Sequence, residues 1–295
     1  MKVVLLGTAA GGGFPQWNCG CHLCGLARAG FPGVAPRTQD CVAVSGDGEH
    51  WYLLNASPDI RAQITGCPAL APGPGRWTPI RGVLLTDAEL DHSLGLFMLR
   101  EGAGIRVWAT EPVLGALRED LPLRATLDRY HGADWCRVTP GKEFTVDDHL
   151  AVTAIPLSAK TPKYATPAEG TWVVGYRVED LVTGGVLLYA PCLAQWPPHL
   201  DEVVAGADCA LLDGTFWSAG EMRSATGTRT QKRMGHLPIS GGGGSLERLA
   251  AHRGVRRVYT HLNNTNPLLD ITTPERTELV AAGVEVLLDG AELDL

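Results

Sequence analysis

The sequence predicts an α/β fold in which two β-sheets pack together and helices lie outside them. Three observations carry this expectation. Eleven short runs rich in Val, Leu and Tyr recur along the 295 residues, and turn residues separate them. Helical patterns lie between only some of these runs, and regular strand–helix alternation begins late, unlike a doubly wound parallel sheet. The 36 glycines and 20 prolines make up nearly a fifth of the chain, against an average of about 12%, so tight turns must join short elements. Helical bundles and coiled coils do not fit that composition.

The first predicted strand, residues 2–6, runs Lys-Val-Val-Leu-Leu and leads to Gly11-Gly12-Gly13. Its apolar block is too short for a secretory leader, so it reads as a strand followed by a glycine loop, and the chain is expected in the cytoplasm. Further strands are predicted at 41–44, 51–54, 82–85, 106–108, 150–155, 172–177, 186–189, 209–212, 257–260 and 284–287. Helices are predicted at 93–100, 111–119, 198–205, 245–252 and 273–281, the last opened by Thr-Thr-Pro-Glu. The Pro/Gly-rich stretch 68–79 lies between strand signals and reads as a surface loop. Nothing resembles an interdomain linker, so residues 1–295 are expected to form one domain. The tetraglycine 241–244 precedes a helix without a strand–loop–Lys pattern, and reads as a flexible loop rather than an anion cradle.

Composition also excludes partners. Hydrophobic residues make up 45% and charged residues 19%, which rules out global disorder. A net charge of −7 has the wrong sign for a protein that binds phosphate backbones, so no nucleic acid is expected. No apolar run approaches the ~18–20 residues of a bilayer span, so no membrane insertion is expected.

Two constellations carry chemistry. Cys19, Cys21 and Cys24 crowd into six positions, and three thiolates so close can converge on one structural Zn2+ with a fourth ligand from elsewhere. His22 lies between ligands, where its geometry is poor, so a distant His is the better fourth partner. The other five cysteines read as buried thiols. The second constellation follows an apolar strand: Asp87, Glu89 and Asp91 alternate, with His92 beside the last. Alternate residues at a strand end share a direction, so three carboxylates and an imidazole are expected to meet. Such a concentration of charge requires a cation.

The segment from Asp87 to Gly95 resembles the metallo-β-lactamase superfamily motif His-x-His-x-Asp-His-x-x-Gly. Asp87 and Glu89 stand where the two leading histidines would be, while Asp91, His92 and Gly95 match. The resemblance implies a metallo-β-lactamase-like αββα sandwich. Replacing two nitrogen donors by carboxylates favours Fe2+, Mn2+ or Mg2+ over the usual paired zinc. The next metal histidine is missing around residues 155–160, which end in Lys160, and the bridging aspartate is missing at Tyr189-Ala-Pro-Cys192. His236, in Met-Gly-His-Leu-Pro, and His261, in Tyr-Thr-His, resemble the mobile-loop and last metal histidines. Asp213 ends a strand and is expected behind a ligand, orienting it.

Gly11 to Cys21, Thr86 to His92, Met234 to Ser240 and His261 to Pro267 together resemble a narrower family that serves pyrroloquinoline quinone (PQQ) biosynthesis. That resemblance implies a structural zinc and one of two roles. The first is iron- and oxygen-dependent hydroxylation of the tyrosine ring in a cross-linked Glu–Tyr precursor. The second is non-catalytic carriage of PQQ or its precursor towards the periplasm. In the first role His92 and Asp91 act at an Fe2+ shared with Asp87, Glu89 and a further histidine. His236 serves as acid or base, while Lys160, Asn263 and Asn264 hold substrate. In related phosphodiesterases the zinc takes its fourth ligand three residues after the last active-site histidine, here Asn264, a poor zinc ligand. Either His261 closes the Cys19/Cys21/Cys24 site, or zinc takes a weak or distant ligand and His261 stays in the pocket. Expected partners are a peptide-derived PQQ precursor or PQQ, other PQQ biosynthesis proteins, and a second copy of the chain. Hydrolysis of an ester or phosphodiester is disfavoured by the missing histidines.

Overall fold

In the computed structural model, which describes residues 1–227 and 231–295, fourteen strands form two seven-stranded sheets. The first half of the chain supplies β1 (Lys2–Gly7), β2 (Cys41–Ser45), β3 (Trp51–Leu54), β4 (Ile80–Leu84), β5 (Arg106–Ala109) and β6 (Asp134–Arg137). The second half supplies β7 (Glu143–Thr145), β8 (Leu150–Ser158), β9 (Val173–Asp180), β10 (Val186–Ala190), β11 (Cys209–Asp213), β12 (Arg256–Thr260), β13 (Glu285–Val286) and β14 (Ala291–Asp294). One sheet has the order β14-β1-β2-β3-β4-β5-β6, and the other β13-β12-β11-β10-β9-β8-β7. Each follows the chain from hairpin-linked strands to parallel ones, so β3 to β6 and β10 to β13 are parallel runs.

Strand alternation explains why both faces of each sheet are buried. In β1, Val3 and Leu5 join the core between the sheets with Val42, Tyr52, Tyr176 and Leu211, while Val4 and Leu6 join the core beneath the helices. Successive side chains point to opposite faces, so a strand covered on both sides reads as continuous apolar sequence rather than alternating. This is the αββα arrangement. The helix Glu111–Glu119 packs Val113, Ala116 and Leu117 into the outer core, as its spacing predicts. Among the described residues, no helix is long and apolar enough to cross a membrane.

The structure departs from the sequence reading at edges and short helices. Strands β6, β7 and β14 and the helices His22–Arg28, Ile60–Gly66, Leu123–Leu127 and Glu221–Thr226 were not anticipated. The helix expected over 93–100 is a single α-turn, Leu90–Ser93, continued by a 3₁₀ segment, Leu94–Leu99. Gly95 is pressed against the chain there: a Cβ would stand 2.2 Å from the Ser57 carbonyl oxygen, and the Gly95 amide donates to the Ala56 carbonyl at 2.9 Å.

The C-terminal ends of β4, β10, β11 and β12 open on one edge of the sandwich, where α/β folds commonly place ligands. The Val174 amide donates to the Thr86 carbonyl at 2.8 Å, and the Tyr176 hydroxyl to the Leu85 carbonyl at 2.9 Å, so the β4 end is fastened to the opposite sheet.

Candidate metal centre

The chain leaves β4 at Leu84, and the turn after Thr86 carries Asp87 and His92 to opposite ends of one short interaction. Both Asp87 oxygens lie against His92 Nδ1, at 2.8 and 2.9 Å. Asp87 also accepts the Glu89 amide and the Thr86 hydroxyl, at 2.9 Å each, so its carboxylate is held from three sides. This bond places the Nδ1 proton and leaves His92 Nε2 facing the cavity. Burial opposes an imidazolium there, but Asp87 and Asp91 outweigh it and raise His92 to about 10.

His261 comes from the end of β12 and is aimed the same way. Its backbone is left-handed, with φ of 57°, uncommon for a residue with a side chain. Its Nδ1 meets the Thr215 hydroxyl at 2.8 Å, and that hydroxyl donates to Asp213 Oδ1 at 2.6 Å. Nδ1 therefore carries the proton and Nε2 is free. The other Asp213 oxygen faces His236 Nδ1 at 2.7 Å and accepts the Leu193 amide at 2.7 Å. Asp213 thus fixes two histidines, one through Thr215 and one directly.

His92 Nε2 and His261 Nε2 are both buried without a hydrogen-bond partner. Asp91 Oδ2 lies 3.8 Å from the first and 3.4 Å from the second. Burial disfavours the ionised carboxyl of Asp91, yet His92 and His261 hold it below the usual carboxylate range. Two buried nitrogens without partners beside a carboxylate are costly as they stand and are satisfied by a cation. Gly11 closes over Asp91, where a Cβ would fall 2.9 Å from Oδ2. The three groups line a cavity of about 300 Å3 with Cys192, His236 and Lys160.

Three carboxylates do not converge here, contrary to the reading of alternation after β4. The chain beyond Thr86 is no longer a strand, so period two lapses. Asp87 stands behind His92, Asp91 lies beside the two free nitrogens, and Glu89, on the wall of the same cavity, is paired with Lys160 Nζ at 2.8 Å. Asn263 lines the same cavity and donates to the Thr265 hydroxyl at 2.6 Å.

A second cluster lies apart from the cavity. The Cys19, Cys21 and Cys24 sulfurs are within 4.8 Å of one another, with Cys24 fully buried at the start of the helix His22–Arg28 and His22 turned to solvent. Asn264, expected beside substrate, instead points its amide at all three sulfurs, with Nδ2 at 3.1, 3.7 and 3.4 Å. Of the two alternatives for His261, the fold places it in the cavity. The Asn264 amide presents Oδ1 to the same sulfurs after a half-turn about its terminal bond. Three thiols and a carbonyl oxygen fit a tetrahedral ion. Burial raises the Cys24 thiol to about 11 in the absence of a cation, Asn264 lowering it only in part.

Thr215 and Cys192 belong to the site and were missed. The sequence signal was available for both: each follows a strand, β11 and β10, whose neighbours end in site residues.

Comparisons with known proteins bear on the same elements. The beta-lactamase superfamily domain matches residues 50–262. Coenzyme PQQ synthesis protein B of Azotobacter vinelandii is 46% identical over the whole of both chains. The crystal structure of Zn2+-bound PqqB from Methylobacterium extorquens is 41% identical, covers both chains completely and superposes with a TM-score of 0.93. A diphosphatase of the PhnP family, 18% identical with a TM-score of 0.72 over 100% of this chain and 97% of its own, shares the fold.

Proposed function

The chain belongs to the family of coenzyme PQQ synthesis protein B, and we propose that within PQQ biosynthesis it is a metal-dependent, O2-using hydroxylase of the tyrosine ring in the Glu–Tyr precursor. One observation carries the proposal: His92 Nε2 and His261 Nε2, buried and without partners, lie beside Asp91 on the wall of a cavity of small-molecule size. Two imidazoles and one carboxylate with open positions are the ligand set of non-haem Fe2+ oxygenases, and the metal when bound supplies O2 activation. The residues around it have separable tasks. Asp87 and Thr215 hold the His92 and His261 tautomers. His236, fixed through Nδ1 by Asp213, offers its other nitrogen to a phenol proton. Lys160 and Asn263 stand at the cavity wall to hold substrate carboxylates and amides. The thiol cluster with Asn264 would hold Zn2+ as a structural ion, the metal present in the Methylobacterium relative.

The test is anaerobic reconstitution with Fe2+ followed by exposure to O2, the cross-linked dipeptide and an external two-electron reductant such as ascorbate, so that one oxygen atom enters the ring and the other leaves as water. Hydroxylated product should appear with wild type and be lost in His92→Ala and Asp91→Ala. If His92→Ala hydroxylates as well as wild type, the proposal is wrong. The lysine at 160, in place of a further metal histidine, supports a second reading as a carrier of PQQ or its precursor. Tight quinone binding without pocket metal or turnover would select that reading, and a pull-down with other PQQ biosynthesis proteins would then identify the recipient.

A further inference from the structure

We infer that Cys192 is a thiolate ligand of the pocket metal, making the centre Asp91, His92, His261 and Cys192; this rests on the metal centre proposed above and specifies its donor set. The Cys192 sulfur and ring nitrogens of His92 and His261 lie within 4.8 Å of one another, close enough for one ion to touch all three. Cys192 lies two residues beyond β10, after Pro191. The next residue is pinned on both sides: the Leu193 amide donates to Asp213 at 2.7 Å, and its carbonyl accepts the Leu237 amide at 2.6 Å. The sulfur is therefore delivered by fixed backbone, as a first ligand requires.

An ordinary core cysteine looks different in this molecule. Cys209 is fully buried among apolar side chains between the sheets, and the Cys41 sulfur meets the Asn55 carbonyl at 3.3 Å. Cys192 instead lines the cavity beside two nitrogens that lack partners. A thiol ligates as the thiolate, so metal entry at this position releases the Cys192 proton. The consequence is selectivity. A sulfur donor disfavours Mg2+ and Mn2+, and directs a mixed nitrogen, oxygen and sulfur set towards Fe2+, Co2+ or Zn2+.

Cobalt absorption tests this without reference to turnover. The full chain, with one equivalent of Zn2+ bound, is titrated with Co2+ and followed in the near ultraviolet, where thiolate-to-cobalt charge transfer absorbs. Wild type should show the band, while Cys192→Ser and Cys192→Ala lose it and bind Co2+ at least about tenfold more weakly, the lower end for disturbing even an outer partner of a metal ligand. His92→Ala should lose it as well, which separates the pocket from cobalt exchanged into the thiol cluster. A band that persists in the Cys192 and His92 variants overturns the inference. Cobalt uptake that His92→Ala abolishes, but that shows no sulfur band in wild type, overturns the inference and leaves the proposed centre standing. No second equivalent bound overturns both.

Discussion

Glu221→Gln should remove a pH dependence of stability from this protein. Glu221 opens the helix Glu221–Thr226, is 8% exposed, accepts the Trp217 amide at Oε2, and accepts the Thr265 hydroxyl at Oε1, both at 2.6 Å. Burial outweighs these bonds and raises the carboxyl from 4.5 to about 7. A group raised on folding is protonated in the native state where it is already ionised in the unfolded state. The unfolded state then binds fewer protons, so stability falls as pH rises from the unfolded value and levels off above the folded one. Integrated from about pH 5 to about pH 8, the loss is about 2.5 kcal/mol. Glutamine keeps an acceptor for Trp217 and does not titrate. Urea unfolding of both proteins at the two pH values, with Zn2+ saturating, should show the wild type losing about 2.5 kcal/mol relative to the variant. A difference between the two proteins that stays constant across that range refutes the reasoning.

Two further predictions concern the clusters. Asn264→Ala should weaken Zn2+ binding roughly 10- to 100-fold in a chelator competition, and Asn264→His should strengthen it because imidazole is the better ligand; unchanged affinity in both would remove Asn264 from the site. Lys160→Met should raise KM for an anionic substrate about tenfold with kcat nearly unchanged, as expected for a charge-assisted bond of about 1.5 kcal/mol made equally in ground and transition states, whereas a fall confined to kcat would place Lys160 in the chemistry instead.

The interior strands were legible because burial on both faces writes itself as uninterrupted apolar sequence, as in Cys-Val-Ala-Val at 41–44 and Cys-Ala-Leu-Leu at 209–212. The strands that were missed lie at or near the edges, with exposed or half-exposed residues such as Asp134, Arg137 and Glu143, so no apolar run marked them. The site was legible where chemistry is local in sequence: Asp91 and His92 are adjacent, and three cysteines fall in six positions. It was illegible where a turn decides direction. Nothing in the alternation of Asp87, Glu89 and Asp91 announces that one carboxylate backs His92, one pairs with Lys160 on the cavity wall and one lies beside the free histidine nitrogens. Asn264 shows the same limit, since three residues separate it from His261 and a left-handed backbone at 261 sends the two side chains to different clusters.

That spacing gives the two clusters a shared fate. The segment from His261 to Asn264 touches the cavity at one end and the sulfurs at the other. The loop from Gly11 against Asp91 to Cys19 spans the same gap from the other side. An ion captured by the sulfurs would anchor Asn264 and with it the approach to His261, so Zn2+ in the thiol cluster should tighten metal binding in the cavity, as a titration with and without it would read. Linkage runs both ways, so a metal held in the cavity should slow alkylation of Cys19, Cys21 and Cys24, and equal alkylation rates with and without it would show the two clusters to be independent.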